Sequence, residues 1–214
     1  MRLTYIIRLS ILLMAATPLT SRAQDDSPPG QILFNTKSCN ACHGKDGKKA
    51  ILAFPNLAGN DKTYLLTQVH EIRDGQRVGS NDDTGNPRTA GMKAVVHLLS
   101  EEELGQVTDW LSSSPAAKPI ALDPPPSVEM LAKGKELFAS KGCIACHGEA
   151  GKKPLMPGYP FLASQKKEYL MNQVNDIKSG ARSNGLTMVM KPITEALTAE
   201  EIDQITTYLS QEPR

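Results

Sequence analysis

Several absences bound this 214-residue chain before any motif is read. Charge of one sign is missing: 24 lysines and arginines stand against 23 acids, and no basic block or aromatic-interleaved Lys/Arg stripe occurs, which argues against nucleic acid as a partner. Beyond the N-terminal segment no apolar run reaches the ~20 residues that a membrane-spanning helix needs. Alternating or β-branched apolar runs, the mark of strands, are missing around the cysteines. Cysteine itself is confined to four positions, 39, 42, 143 and 146, which fall in two short segments.

The N-terminus carries the one apolar run. Arg2 and Arg8 precede the stretch from Leu9 to Ala16, and Ser21-Arg22-Ala23 offers small residues at cleavage positions, so residues 1–23 read as a signal peptide. The run is too short for a membrane anchor. The mature chain is expected to begin near Gln24, in the periplasm, with no transmembrane helix. Loss of residues 1–23 removes three arginines and no acids, which turns the formal charge from +1 to −2. Such a balance suits a soluble protein whose contacts with partners are brief and electrostatically steered.

Both cysteine segments spell C-x-x-C-H: Cys39-Asn40-Ala41-Cys42-His43 and Cys143-Ile144-Ala145-Cys146-His147. This is the attachment signature of c-type haem. Two thiols three positions apart can each add to one vinyl group of a porphyrin, while the adjacent imidazole ligates iron from beneath the ring. A zinc ribbon would need its two pairs to converge on one ion, yet these begin 104 residues apart, Cys39 to Cys143. A thioredoxin-like pair would sit beside a strand-helix-strand pattern, which is not there. The export signal supports the haem reading, because covalent haem attachment in bacteria follows export.

Laying one motif on the other exposes an internal repeat. Gly30, Leu33 and Phe34 precede the first motif as Gly134, Leu137 and Phe138 precede the second. Tyr64, Leu65, Gln68, Val69, Ile72, Gly75 and Arg77 meet Tyr169, Leu170, Gln173, Val174, Ile177, Gly180 and Arg182 in unbroken register. Between the copies lies a Pro-rich stretch, a semi-rigid linker rather than helix or central strand. The expected division is 24–114 for the first domain, 115–127 for the linker and 128–214 for the second. Each domain is small for a core of its own, and haem would supply a large apolar body to fold around.

Both copies read as all-α. The i, i+4, i+8 stripe of Tyr64, Leu65, Gln68, Val69 and Ile72 predicts a helix starting near Asn60 or Asp61 and stopping at Gly75. Ser100 with Glu103 and Thr198 with Glu201 predict capping boxes that open the last helix of each copy. A first helix bearing Gly30 and Phe34, or Gly134 and Phe138, would cross Trp110 or Tyr208 closely.

A ligand that closes the second side of both irons should recur in register. Met92 and Met190 each stand eight residues before the capping Ser100 or Thr198, and thioether is an established axial ligand for haem. Met188 shares the second loop and stays open as an alternative, since methionine is flexible. Met156 and Met171 read as packing. His70 and His97 have Asn175 and Glu195 as counterparts and read as surface residues. Pro55 and Pro160 lie where a backbone carbonyl can hold the imidazole Nδ1. Tyr64, Arg77, Tyr169 and Arg182 are candidate donors to haem propionates.

With tandem CNACHG and CIACHG motifs, FPNLAG and YPFLAS segments, Y-L-x-x-Q-V helices ending in DGQR and SGAR, and Met-Lys followed by LSEEEL or LTAEEI, the chain resembles the dihaem cytochrome c4 family from Gln24 to Arg214. That resemblance implies two class I cytochrome c domains related by a pseudo-twofold, with covalent haem c in each. It implies His43 with Met92 and His147 with Met190 as iron ligands, and Cys39, Cys42, Cys143 and Cys146 as thioether positions. Ser164 departs from the usual P-x-L-A-G, and the Met190 loop is seven residues shorter than the Met92 loop.

Two six-coordinate irons leave no site for substrate, so the expected function is electron transfer and not catalysis. The resemblance implies a periplasmic respiratory carrier, fed by a quinol-cytochrome c reductase or a periplasmic dehydrogenase and discharging to a terminal oxidase. Any membrane association would be peripheral, through those partners. Alternatives are the electron-accepting subunit of a sulfur- or alcohol-oxidising complex, similar to the dihaem subunit of flavocytochrome c, and a dihaem enzyme such as a peroxidase or thiosulfate dehydrogenase.

Overall fold

A computed structural model describes residues 26–214. The expected signal peptide, residues 1–23, and the expected mature start at Gln24 lie outside the described residues. The first half contains α1 (Pro29–Thr36), α2 (Cys39–His43), α3 (Lys62–Arg73), α4 (Ala90–Val96) and α5 (Glu101–Ser113). The second half repeats the order as α6 (Val128–Ser140), α7 (Ile144–His147), a 3-10 turn at Glu149–Gly151, α8 (Lys167–Ser179), α9 (Thr187–Glu195) and α10 (Ala199–Gln211). Among the described residues there is no strand, only an isolated bridge between Asn81 and Pro87. No described helix is long and apolar enough to cross a membrane.

Local chemistry fixes where these helices begin. At α5, Ser100 Oγ accepts from the Glu103 N–H at 3.2 Å while the Ser100 N–H donates to Glu103 Oε2 at 2.9 Å. At α10, Thr198 and Glu201 make the same exchange at 3.1 and 2.9 Å. Such caps are worth about 1 kcal/mol each. Each box glutamate also receives a lysine from the end of the first helix of its half, Lys37 on Glu103 at 2.8 Å and Lys141 on Glu201 at 2.6 Å. The start of α3 is set by Asp61, whose Oδ1 accepts from the Tyr64 N–H at 2.8 Å.

In each half the first helix crosses the last at a glycine. A Cβ built on Gly30 would lie 2.1 Å from the Gln106 carbonyl oxygen and 2.6 Å from Trp110 Cβ. On Gly134 it would lie 2.2 Å from the Gln204 carbonyl oxygen and 2.6 Å from Tyr208 Cβ. The backbones are therefore in contact, and only a residue without Cβ permits it. Beside the crossings Phe34 meets Trp110 with ring centroids 5.2 Å apart, and Phe138 meets Tyr208 at 6.4 Å. Two separate cores follow, one of Phe34, Leu65, Leu99, Leu104, Val107 and Leu111, the other built on Leu137, Phe138, Leu170, Ile202, Ile205 and Leu209.

Residues 115–127 contain no helix, yet they are tied down. Ala117 is buried and the Ile120 carbonyl accepts from Gln211 Nε2 at 3.0 Å. This packing explains the departure at Ser164. Gly59 and Ser164 share a left-handed backbone, φ +71 and +60. At Gly59 a Cβ would meet Arg214 Nη2 at 2.7 Å and Ala116 Cα at 3.0 Å, whereas Ser164 uses its side chain, donating from Oγ to the Glu212 carbonyl at 2.8 Å.

Candidate functional site

The C-x-x-C-H segments form the short helices α2 and α7, set directly after the first helix of each half. The four cysteines are half-buried and no disulfide joins them. Burial pushes the Cys39 thiol up and takes Cys143 up to about 11.

His43 and His147 are buried, and desolvation pulls both imidazoles below their ordinary value. They are neutral at pH 7, the form in which histidine ligates a metal. In each ring Nδ1 lies against the carbonyl of the expected proline, His43 with Pro55 at 2.9 Å and His147 with Pro160 at 3.3 Å. A carbonyl only accepts, so Nδ1 carries the proton and Nε2 is left with its lone pair for iron. Aromatic side chains flank both rings: Phe54 stands 6.3 Å from His43 and Tyr159 6.2 Å from His147, between centroids. Sequence reasoning did not single out these two, although the aromatic-proline pairs Phe54-Pro55 and Tyr159-Pro160 recur in register.

This donor set fits haem c. Beside each motif an exposed aliphatic side chain is held by a backbone bond, the Ile51 N–H to the Cys42 carbonyl at 2.9 Å and the Leu155 N–H to the Cys146 carbonyl at 3.1 Å. Two thiols and an oriented neutral imidazole are what a covalently bound porphyrin requires.

The methionines are distributed unequally. Met92 lies in α4 and Met190 in α9, both half-buried. Met188 also lies in α9 but is 57% exposed, and residues two apart project to nearly opposite sides of a helix. Met156 is exposed, and Met171 packs on the second core. His97 is exposed, and His70 forms a surface pair with Glu101 at 2.9 Å.

Tyr64, Arg77, Tyr169 and Arg182 are brought together at the junction of the two halves. Arg77 Nη2 donates to Tyr169 Oη at 3.0 Å and to Gln173 Oε1 at 2.9 Å, while Nη1 donates to Gln68 Oε1 at 2.9 Å. Arg182 donates to Gln173 Oε1 at 2.6 Å and to Gln68 Oε1 at 2.8 Å. Arg182 is pulled down, by burial first and by the Arg77 charge second. Both guanidiniums remain cations, as guanidinium does in proteins. A second contact joins the halves: the Asn56 N–H donates to Gln165 Oε1 at 2.8 Å and Gln165 Nε2 to the Asn56 carbonyl at 2.9 Å.

Comparison with known proteins agrees with this geometry. The cytochrome c family model matches residues 27–115 and again 131–212. The chain is 30% identical over 208 residues to cytochrome c4 of Pseudomonas aeruginosa, covering 94% of this chain and 95% of that protein. It is also 30% identical over 210 residues to the thiosulfate dehydrogenase electron acceptor of Stutzerimonas stutzeri, covering 92% and 91%. Reduced recombinant cytochrome c4 from Pseudomonas stutzeri superposes with a TM-score of 0.70 at 28% identity, over 88% of this chain and 99% of that one.

Proposed function

Because this chain belongs to the cytochrome c family, as a tandem dihaem member of the cytochrome c4 type carrying haem c at Cys39/Cys42/His43 and Cys143/Cys146/His147, we propose that it is a periplasmic respiratory carrier passing electrons toward a terminal oxidase. Haem c, when bound, supplies a one-electron couple in each half. The chain's own groups set the conditions: Pro55 and Pro160 orient the imidazoles, and burial keeps them neutral.

The observation that carries the reading is the recurrence of Met92 and Met190, half-buried and eight residues before a capping box in each half. With these as sixth ligands both irons are closed, and outer-sphere electron transfer between proteins is what remains. Thioether ligation also raises the potential, which suits the high-potential end of a chain.

Similarity to a thiosulfate dehydrogenase electron acceptor supports a second reading, in which the donor is a sulfur-oxidising dehydrogenase. Stopped-flow reduction of the oxidised protein separates the two. Fast reduction by a quinol-cytochrome c reductase, followed by fast reoxidation by a terminal oxidase, is expected. Fast reduction by thiosulfate dehydrogenase with thiosulfate, with no exchange with the reductase, would select the second reading.

A further inference from the structure

The helices that carry Met92 and Met190 are thinly held. Helix α4 buries one side chain, Val96, and α9 buries only Thr187 and Thr194. Neither helix start is closed by a side-chain cap. The hydroxyls at those starts bond within their own loops, Thr89 Oγ1 to the Val78 carbonyl at 2.7 Å and Thr187 Oγ1 to the Asn184 carbonyl at 2.6 Å. The preceding helices are better anchored, α3 through buried Leu65 and Ile72 and α8 through buried Leu170 and Ile177.

The residue after each methionine links the loose helix to the anchored one. Gly75 follows α3 and Gly180 follows α8, both with left-handed backbone, φ +76 and +82. A Cβ on Gly75 would lie 3.1 Å from Lys93 Nζ and one on Gly180 3.4 Å from Lys191 Nζ, with nothing else beyond the adjoining residues within 4 Å. In both halves the ammonium therefore rests at the carboxyl end of the preceding helix, where aligned backbone dipoles leave a partial negative charge that favours a cation. We infer that Lys93 and Lys191 are positioning residues for iron ligation: each clamps its methionine helix to the end of the helix before it. The inference rests on reading Met92 and Met190 as iron ligands.

Adjacent residues project about 100° apart on a helix. With the lysine drawn to α3 or α8, the direction of the methionine is fixed against a helix that belongs to the core. The bare glycines keep the ammonium close, since a side chain at 75 or 180 would stand against Nζ. Other lysines hold the far ends, Lys37 on the Leu98 carbonyl at 3.4 Å and Lys178 on the Leu197 carbonyl. The methionine-bearing part is thus left to Lys93 and Lys191. Glu195, 3.6 Å from Lys191 in the same helix, steadies the second clamp, whereas Lys93 has His97 in that register.

The test uses the full haem-loaded chain with Lys93→Gln, Lys93→Arg and Lys93→Glu, and the same three changes at Lys191. Two quantities are read: the affinity of the oxidised protein for imidazole, which must displace the thioether, and amide hydrogen exchange of residues 90–96 and 187–195. One charge at an exposed helix terminus is worth a factor of about two to five. Lys93→Gln and Lys191→Gln are expected to raise imidazole affinity and helix exchange by that factor, each in its own half only. The arginine variants keep the cation and should stay near the parent, while the glutamate variants should exceed the glutamine ones. High salt screens the clamp, so it should raise imidazole affinity in the parent and leave the glutamine variants unchanged. Parent-like affinity and exchange in the glutamine variants, or an equal rise in the arginine variants, would overturn the inference. So would a lowered Tm with neither quantity changed. A parent without Met-iron charge-transfer bands would sink the ligand reading instead, and exchange of the two helices would still decide whether the lysines clamp them.

Discussion

Replacing Gly134 with alanine tests the helix crossing that holds the second half together. The added Cβ would meet the Gln204 carbonyl oxygen at 2.2 Å and Tyr208 Cβ at 2.6 Å, so α6 and α10 must move apart by more than an ångström to reach ordinary contact. Overpacking a core costs roughly 1–3 kcal/mol, and an obstacle made of backbone cannot step aside as a side-chain tip can. Alanine returns about 1 kcal/mol of helix propensity. A net loss of about 2 kcal/mol lowers the melting temperature of a domain this size by roughly 10 °C. The control is Gly105→Ala in α5, where a Cβ meets nothing within 4 Å. There only the propensity gain operates, and Tm should rise by several degrees. Thermal unfolding followed by far-UV circular dichroism and by the haem Soret band measures both variants. If Gly134→Ala is neutral or stabilising like Gly105→Ala, the account of the crossing fails.

Three further outcomes follow from the same geometry. Glu103 and Glu201 are held below their ordinary 4.5, by Lys37 and Lys141 first and by backbone N–H groups second, so their contribution is present above that value and lost as pH falls through the folded one. The urea midpoint should therefore drop between about pH 5 and 3, and drop less in a Glu103→Gln/Glu201→Gln double variant. Met190→Ala should abolish the Met-iron charge-transfer band of one haem while Met188→Ala leaves both bands, and the reverse result would exchange the two assignments. Ser38 holds φ +63 where its counterpart in the repeat is Gly142, so Ser38→Gly should raise stability by about 1 kcal/mol in chemical denaturation.

Much of the fold was legible because several local signals agreed at the same positions. Ser100-x-x-Glu103 and Thr198-x-x-Glu201 dictate their helix starts through their own side chains, and Asp61 does the same for α3. Gly30 and Gly134 stood out because a small residue recurred beside an aromatic one, and the structure closes the helices on them. The proline carbonyls behind the two histidines were also within reach, since a fixed loop length carries them there.

The junction was not legible in the same way. Gln68 was counted with an apolar helical stripe and is buried, and its counterpart Gln173 is half-buried, but each accepts from an arginine of the other half rather than packing in the core of its own. Arg77, Arg182, Tyr64 and Tyr169, the candidate propionate donors, also meet one another and Gln68 and Gln173 at the junction. Periodicity reports which face is covered and not what covers it. A polar residue recurring in register on a buried face was the available signal. Phe54 and Tyr159 lie outside the helices and so leave no periodic signal, and only their recurrence as aromatic-proline pairs in register marks them.

The central claim is that Met92 and Met190 close both irons, leaving electron transfer as the chemistry. Carbon monoxide binding to the fully reduced protein tests it most directly. The account predicts no rapid binding at either haem at neutral pH, and a spectrum unchanged on the timescale of mixing. Rapid stoichiometric uptake at one haem would show an open iron and contradict the account.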